Sequence, residues 1–172
     1  MRALKYLFLF LLISSCGTIV NYDYESSTDF SKYKTYDYFS DMQTGLSQLD
    51  NKRLMRAIDA KLVTMGLTRS NNPDFFIDIQ SQDIMNRSNS NVGVGVGGSG
   101  RNVGGGVSVG IPLGGNQNTR QIVIDFVDKK QNEKLFWQAV SESTYRPNAS
   151  PEKRESYFEA LVAKIFEKYP PK

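Results

Sequence analysis

Apolar and polar positions change their period several times along this chain, and each change marks an element. Residues 7–13 are an unbroken apolar run. Residues 18–24 form a short strand, with β-branched Thr18, Ile19 and Val20 leading into Tyr22 and Tyr24. A polar turn at 26–29 precedes an aromatic strand at 33–39. Its alternation puts Tyr33, Thr35, Asp37 and Phe39 on one face and Lys34, Tyr36 and Tyr38 on the other, and the tyrosines suit half-buried sheet positions. Leu54, Ile58, Leu62 and Met65 then recur at helical spacing, with Met55 beside them. Ser47 or Asp50 caps this helix, and Gly66 lies where a left-handed stop belongs.

The second half is strand-rich. Asn71-Asn72-Pro73-Asp74 is a turn, and residues 75–84 follow as a strand whose start is apolar on both faces, which points to a central place in a sheet. In residues 120–128, Ile122, Ile124 and Phe126 face one way and Val123, Asp125 and Val127 the other. Residues 128–133 form a hairpin turn, and 134–145 return as the partner strand. Leu135, Trp137 and Ala139 share one of its faces, and its polar later part is expected to be exposed. A last helix is capped by Ser150, has Pro151 in its first turn and stops at Pro170-Pro171. Its broad apolar face holds Tyr157, Phe158, Leu161, Val162, Ile165, Phe166 and Tyr169, and its mixed-charge polar face favours packing on a sheet over lying on a membrane. The elements predict an α+β two-layer sandwich: one mainly antiparallel sheet with two helices packed on one face.

The opening apolar run is too short to span a bilayer, which needs roughly 20 residues. With Arg2 and Lys5 before it and small residues after it, it has the pattern of a signal peptide. Ile13-Ser14-Ser15-Cys16 resembles the bacterial lipobox, which implies cleavage between Ser15 and Cys16 and lipid attachment at Cys16. Residues 1–15 would be removed, leaving residues 16–172 as one domain held to a membrane by acyl chains. Gly17, where an aspartate would favour inner-membrane retention in enterobacteria, resembles an outer-membrane address.

Loss of Arg2 and Lys5 with the leader takes the net charge from +3 to +1. No basic patch stands out, so a nucleic-acid partner is not expected. The chain has no histidine and one cysteine, which excludes Cys/His zinc sites and Ser-His-Asp or Cys-His catalysis. No cofactor is implied.

Residues 91–115 are rich in glycine and valine. Strict Val-Gly alternation allows a flat hairpin with valines on one face, and disorder competes equally because glycine is costly to order. Gly95, Gly97 and Gly100 match G-x-G-x-x-G, but no helical run follows, as a dinucleotide site requires. Either a tolerated insertion or an interaction segment carried by Val94, Val96, Val103, Val107 and Val109 accounts for this stretch. Four carboxylates need weighing too. Asp74 and Asp78 flank the start of one strand and Asp125 and Asp128 the end of another, so pairing of those strands would bring acids together. Turn chemistry explains Asp74 and Asp128, and Asp125 is expected to be solvated or paired with Lys or Arg.

Tyr22-Asp23-Tyr24, the run Asp29-Phe30-Ser31-Lys32-Tyr33-Lys34-Thr35-Tyr36, Asn72-Pro73-Asp74, Ile124-Asp125, Trp137 and Tyr169-Pro170-Pro171 together resemble the bacterial lipoproteins grouped as domain of unknown function family 4136. The resemblance covers nearly all of the chain after the leader. It implies a small α+β lipoprotein and supplies no activity or catalytic residue. The expected function is a lipid-anchored cell-envelope binding or assembly module, with an envelope protein as partner. A carboxylate-dependent envelope hydrolase acting on glycan or peptide, or a carrier of a small apolar ligand between sheet and helices, are the alternatives.

Overall fold

The computed structural model describes residues 17–85, 118–129 and 134–171. One six-stranded sheet is built from β1 (Ile19–Tyr24), β2 (Thr35–Tyr38), β3 (Thr68–Arg69), β4 (Phe75–Met85), β5 (Asn118–Asp128) and β6 (Lys134–Tyr145), in the order β1-β6-β5-β4-β2-β3. The β1–β6, β6–β5 and β5–β4 pairs are antiparallel, while β2 runs parallel to both β4 and β3. Helices α1 (Gln48–Thr64) and α2 (Pro151–Ile165) pack against each other and cover one face. The sandwich expected from the pattern is the fold observed. No helix among the described residues is long and apolar enough to cross a membrane.

Local chemistry explains the element ends. The Ser47 hydroxyl accepts from the Asp50 N–H at the start of α1, and the Ser150 hydroxyl accepts from Lys153 N–H at the start of α2. Gly66 takes φ +81° just after α1, the left-handed stop its position predicted. Gly45 is more constrained, because a Cβ there would lie 2.6 Å from the Ser81 carbonyl oxygen.

Leu54, Ile58 and Leu62 of α1 and Phe158, Leu161, Val162 and Ile165 of α2 meet Phe75, Ile77, Ile79, Ile122, Ile124 and Phe126 of the central strands. Each such side chain contributes about 1.5–3 kcal/mol when removed from water. Rings dominate one end. Phe75, Phe126, Phe136, Trp137, Phe166 and Tyr169 pack on one another, with Trp137 stacked on Phe166 at 5.5 Å.

Four sequence expectations are corrected. The register slips between Phe126 and Val127, and this bulge turns both Phe136 and Trp137 inward while leaving Leu135 exposed. Leu135 therefore does not share a face with Trp137. The polar end of β6 is not exposed on its inner face: Ser141, Ser143 and Tyr145 are buried, because Ser141 Oγ donates to the Ile122 carbonyl and Ser143 bonds Tyr157. Tyr36 and Tyr38 are fully rather than half buried, since α1 lies directly over them. Tyr33 precedes β2 instead of belonging to it. A 3-10 turn at Phe30–Lys32 lets its ring stack on Phe136, centroids 4.1 Å apart.

Candidate binding surface

Ser15 and Cys16 lie outside the described residues, as do Val94, Val96, Val103, Val107 and Val109. The hairpin turn falls partly outside them too. The positions of the flanking strands are nonetheless informative. Ile19, the first residue of β1, pairs with Glu142, which pairs with Gln121 of β5. Met85 and Asn118, which end β4 and begin β5, pair with each other three residues away along β5. β1 therefore begins at the same end of the sheet at which β4 ends and β5 begins.

The carboxylates separate into two environments. Asp78 and Asp125 sit directly opposite each other on β4 and β5, on the face the helices leave bare. Asp125 is half-buried and makes no ion pair with a lysine or arginine among the described residues, so of the two environments expected from sequence it keeps only partial contact with solvent. Its Oδ1 accepts from Gln138 Nε2 at 2.8 Å, and Gln80 Nε2 donates to Asp78 at 3.0 Å. Burial, with the facing Asp78 adding to it, raises the Asp125 pKa above the ordinary aspartate range, against the Gln138 hydrogen bond. The second environment is structural. Asp74 Oδ2 accepts from the Lys34 and Thr35 amides and the Thr35 hydroxyl, while Asp128 accepts from the Tyr33 hydroxyl at 2.6 Å.

A buried charge cluster was not evident in the chain. Asp50 is 1% exposed, and accepts from Tyr145 Oη, Arg154 Nη1 and Arg53 Nη1 at 2.9–3.0 Å. Burial opposes the carboxylate, but these donors outweigh it and hold its pKa below the usual range. Arg120 grips Asp83 through two nitrogens and lies 3.4 Å over the Tyr145 ring. This cluster joins α1, α2, β4, β5 and β6 at one end, where it ties both helices to the sheet.

An aromatic pocket lies beside the edge strand β1. A pocket of about 730 Å³ is lined by Tyr22, Tyr24, Trp137, Lys168, Tyr169 and Pro170, among others. The Tyr22 hydroxyl donates to the Lys164 carbonyl near the end of α2, and the Lys168 ammonium lies 5.6 Å from the Tyr22 ring centre. Trp137 is fully buried, and its indole N–H meets no acceptor among the described residues. Tyr24 remains 44% exposed. Along β1, the Glu25 N–H donates to the Phe136 carbonyl. By antiparallel alternation the backbone groups of Val20, Tyr22 and Tyr24 then point away from β6, toward the outer edge. The Tyr24 N–H is taken by the Asp23 carboxylate at 2.9 Å. From the sequence alone, Tyr22 and Tyr24 are expected only as strand residues. The recurrence of Tyr-Asp-Tyr at 22–24 and 36–38 was the available signal.

The family model described as Domain of unknown function (DUF4136) matches residues 20–171. A DUF4136 family protein from Bacteroides thetaiotaomicron is similar in structure, with a TM-score of 0.56 and 11% identity over 89% of this chain and 96% of that one. A PDZ domain protein from Parabacteroides distasonis matches with a TM-score of 0.57 and 16% identity over 90% of this chain. This chain spans only 36% of that protein's length. The PelC dodecamer from Paraburkholderia phytofirmans matches with a TM-score of 0.51 and 11% identity, over 87% of this chain and 94% of that one. At these identities the likenesses concern the fold alone. No curated protein matches this chain.

Proposed function

We propose, from the premise that this chain belongs to the DUF4136 family, that it acts as a lipid-anchored cell-envelope protein serving as a binding or assembly module. The observation that carries the reading is the placement of Cys16 three residues before β1. A lipid on Cys16 would hold one defined end of the sheet against the bilayer. Two or three acyl chains, at about 0.8 kcal/mol per buried methylene, make such an anchor stable. Gly17, in the place where an aspartate would favour inner-membrane retention, supports an outer-membrane address. The layer between sheet and helices is filled by interlocked rings, which favours surface binding over carriage of a small apolar ligand. A structural neighbour that is a dodecamer, PelC, lends support to assembly as a role for this fold.

In-cell crosslinking of the full-length protein, compared with Cys16→Ala, tests the reading. The expected result is one recurrent envelope protein, lost with the anchor. Crosslinks to lipid and random neighbours alone, or an unchanged partner and a soluble location for both forms, would overturn it. The facing Asp78 and Asp125 favour a second reading, a carboxylate-dependent hydrolase. Asp125→Asn and Asp78→Asn, assayed on glycan and peptide substrates in the folded protein, would abolish turnover if that reading were correct.

A further inference from the structure

We infer that the outer edge of β1 and the adjoining aromatic pocket form one docking site, which takes an extended polypeptide segment of a different envelope protein by strand addition. The inference rests on the anchored-module reading for its orientation.

Backbone groups left without a strand partner among the described residues identify the occupant's chemistry. The N–H and C=O groups of Val20 and Tyr22 and the C=O of Tyr24 face outward at the two-residue spacing of a strand edge. Only another polypeptide strand presents donors and acceptors at that repeat. Sheet edges are commonly protected by shortness, lysine, proline or a bulge. The opposite edge is short, because β3 has two residues. β1 has six residues and no lysine, proline or bulge. Its one guard is Asp23, whose carboxylate occupies the Tyr24 N–H and marks where added pairing stops.

Side chains refine the choice. Ile19, Asn21 and Asp23 project from the bare face of β1 and are all exposed. Asp23 makes no ion pair within 4 Å among the described residues, so a lysine or arginine opposite it on the incoming strand would complement its charge. On the other face, past Tyr22, the pocket bounded by Tyr24, Trp137, Tyr169 and Pro170 accepts an aromatic or prolyl side chain from the same strand. A second copy of this chain fits poorly. Antiparallel β1–β1 pairing would send the two Cys16 tethers out at opposite ends of the pair. About 10 Å of chain between Cys16 and Ile19 would not bring the distal one back along a strand of about 17 Å.

The test places the photoreactive residue benzoylphenylalanine, one position at a time, at 19, 21 and 23 of the full-length protein in its native host. Strand addition is expected to give adducts from all three positions on one segment of one other protein, with contact points moving in two-residue steps in a single direction. Asp23→Lys is expected to lower adduct yield from positions 19 and 21 by up to about fivefold, the upper size of an opposite-charge cross-strand pair. Adducts on scattered segments, on glycan or lipid alone, on a second copy of this chain, or no adduct at all would overturn the inference. Cys16→Ala separates the two ideas. Loss of membrane attachment without stepped adducts in the anchored form sinks the docking site and spares the anchor. Stepped adducts from a protein that is never lipidated do the reverse.

Discussion

The tripeptide Tyr-Asp-Tyr occurs twice, at 22–24 in β1 and at 36–38 in β2, and the two copies end in opposite situations. In both, the aspartate folds back onto the N–H of the following tyrosine, at 2.9 Å. In β2, α1 closes over the rings. Tyr36 and Tyr38 both donate to Asp59 Oδ1 at 2.8 Å, and burial, with the Asp59 carboxylate, pushes both phenols far above the ordinary tyrosine range. In β1, α2 reaches only Tyr22, through the Lys164 carbonyl, and leaves Tyr24 against open solvent. The same local chemistry thus becomes core where a helix covers the rings and supplies a half-buried carboxylate, and surface where the helix runs out.

Exchanging rings for methyl groups should separate the two copies most sharply. Tyr36→Ala is expected to cost about 3–5 kcal/mol, the range for a large buried ring, while Tyr24→Ala should stay within about 0.5 kcal/mol. Denaturant unfolding of both variants measures this, and equal losses would break the comparison. Removing the shared acceptor comes next. Asp59→Ala strands two buried phenols and should cost about 1–3 kcal/mol, against about 0.5–1.5 kcal/mol for Tyr22→Phe, which gives up one exposed hydrogen bond.

Smaller effects sharpen the picture at the bare face between the two copies. Asp125→Asn removes one of two facing charges and is expected to gain up to about 1 kcal/mol at pH 7. The sign follows from the raised pKa. The folded protein takes up this proton at a higher pH than the unfolded chain does. The penalty is therefore full above the folded pKa and fades as pH falls through it toward the ordinary value of about 3.9. The variant's advantage should shrink over that window in unfolding curves taken at successive pH values, and an advantage that grew on acidification would refute the assignment. The smallest effect belongs to Asp23→Ala, which should leave stability within about 0.5 kcal/mol. It should nevertheless speed hydrogen exchange at the Tyr24 amide.

Periodicity carried most of the fold. Leu54, Ile58 and Leu62 announced α1 by spacing, Ser150-Pro151 announced the start of α2, and the doubly apolar start of β4 announced its central place. The failures share a cause: they depend on which partner lies across the sheet or above it. The bulge that turns Phe136 inward follows from pairing with β5. Ser141 and Ser143 are buried through the Ile122 carbonyl and Tyr157, partners that no local pattern reveals. Asp125 was expected to meet water or a cation, and it stays half-buried with Gln138, thirteen residues on and one strand over, as its hydrogen-bond donor. The approach of Asp78 to Asp125 was readable, because it needed only the pairing of two strands already recognised. The β1 pocket was not, since Tyr22, Trp137 and Tyr169 come together from three distant segments.

Hydrogen exchange resolved along residues 19–24 and 35–38 of the full-length protein, first isolated and then in native membranes, tests the account most directly. In the isolated protein, the amides of Val20 and Tyr22 should exchange fast while Ile19, Asn21 and Asp23, bonded to β6, exchange slowly, and β2 should be protected throughout. In membranes, Val20 and Tyr22 should become protected and β2 should not change. Val20 and Tyr22 amides already as slow as β2 in the isolated protein, or equally fast in both settings, would contradict the claim that this edge is held open for a partner.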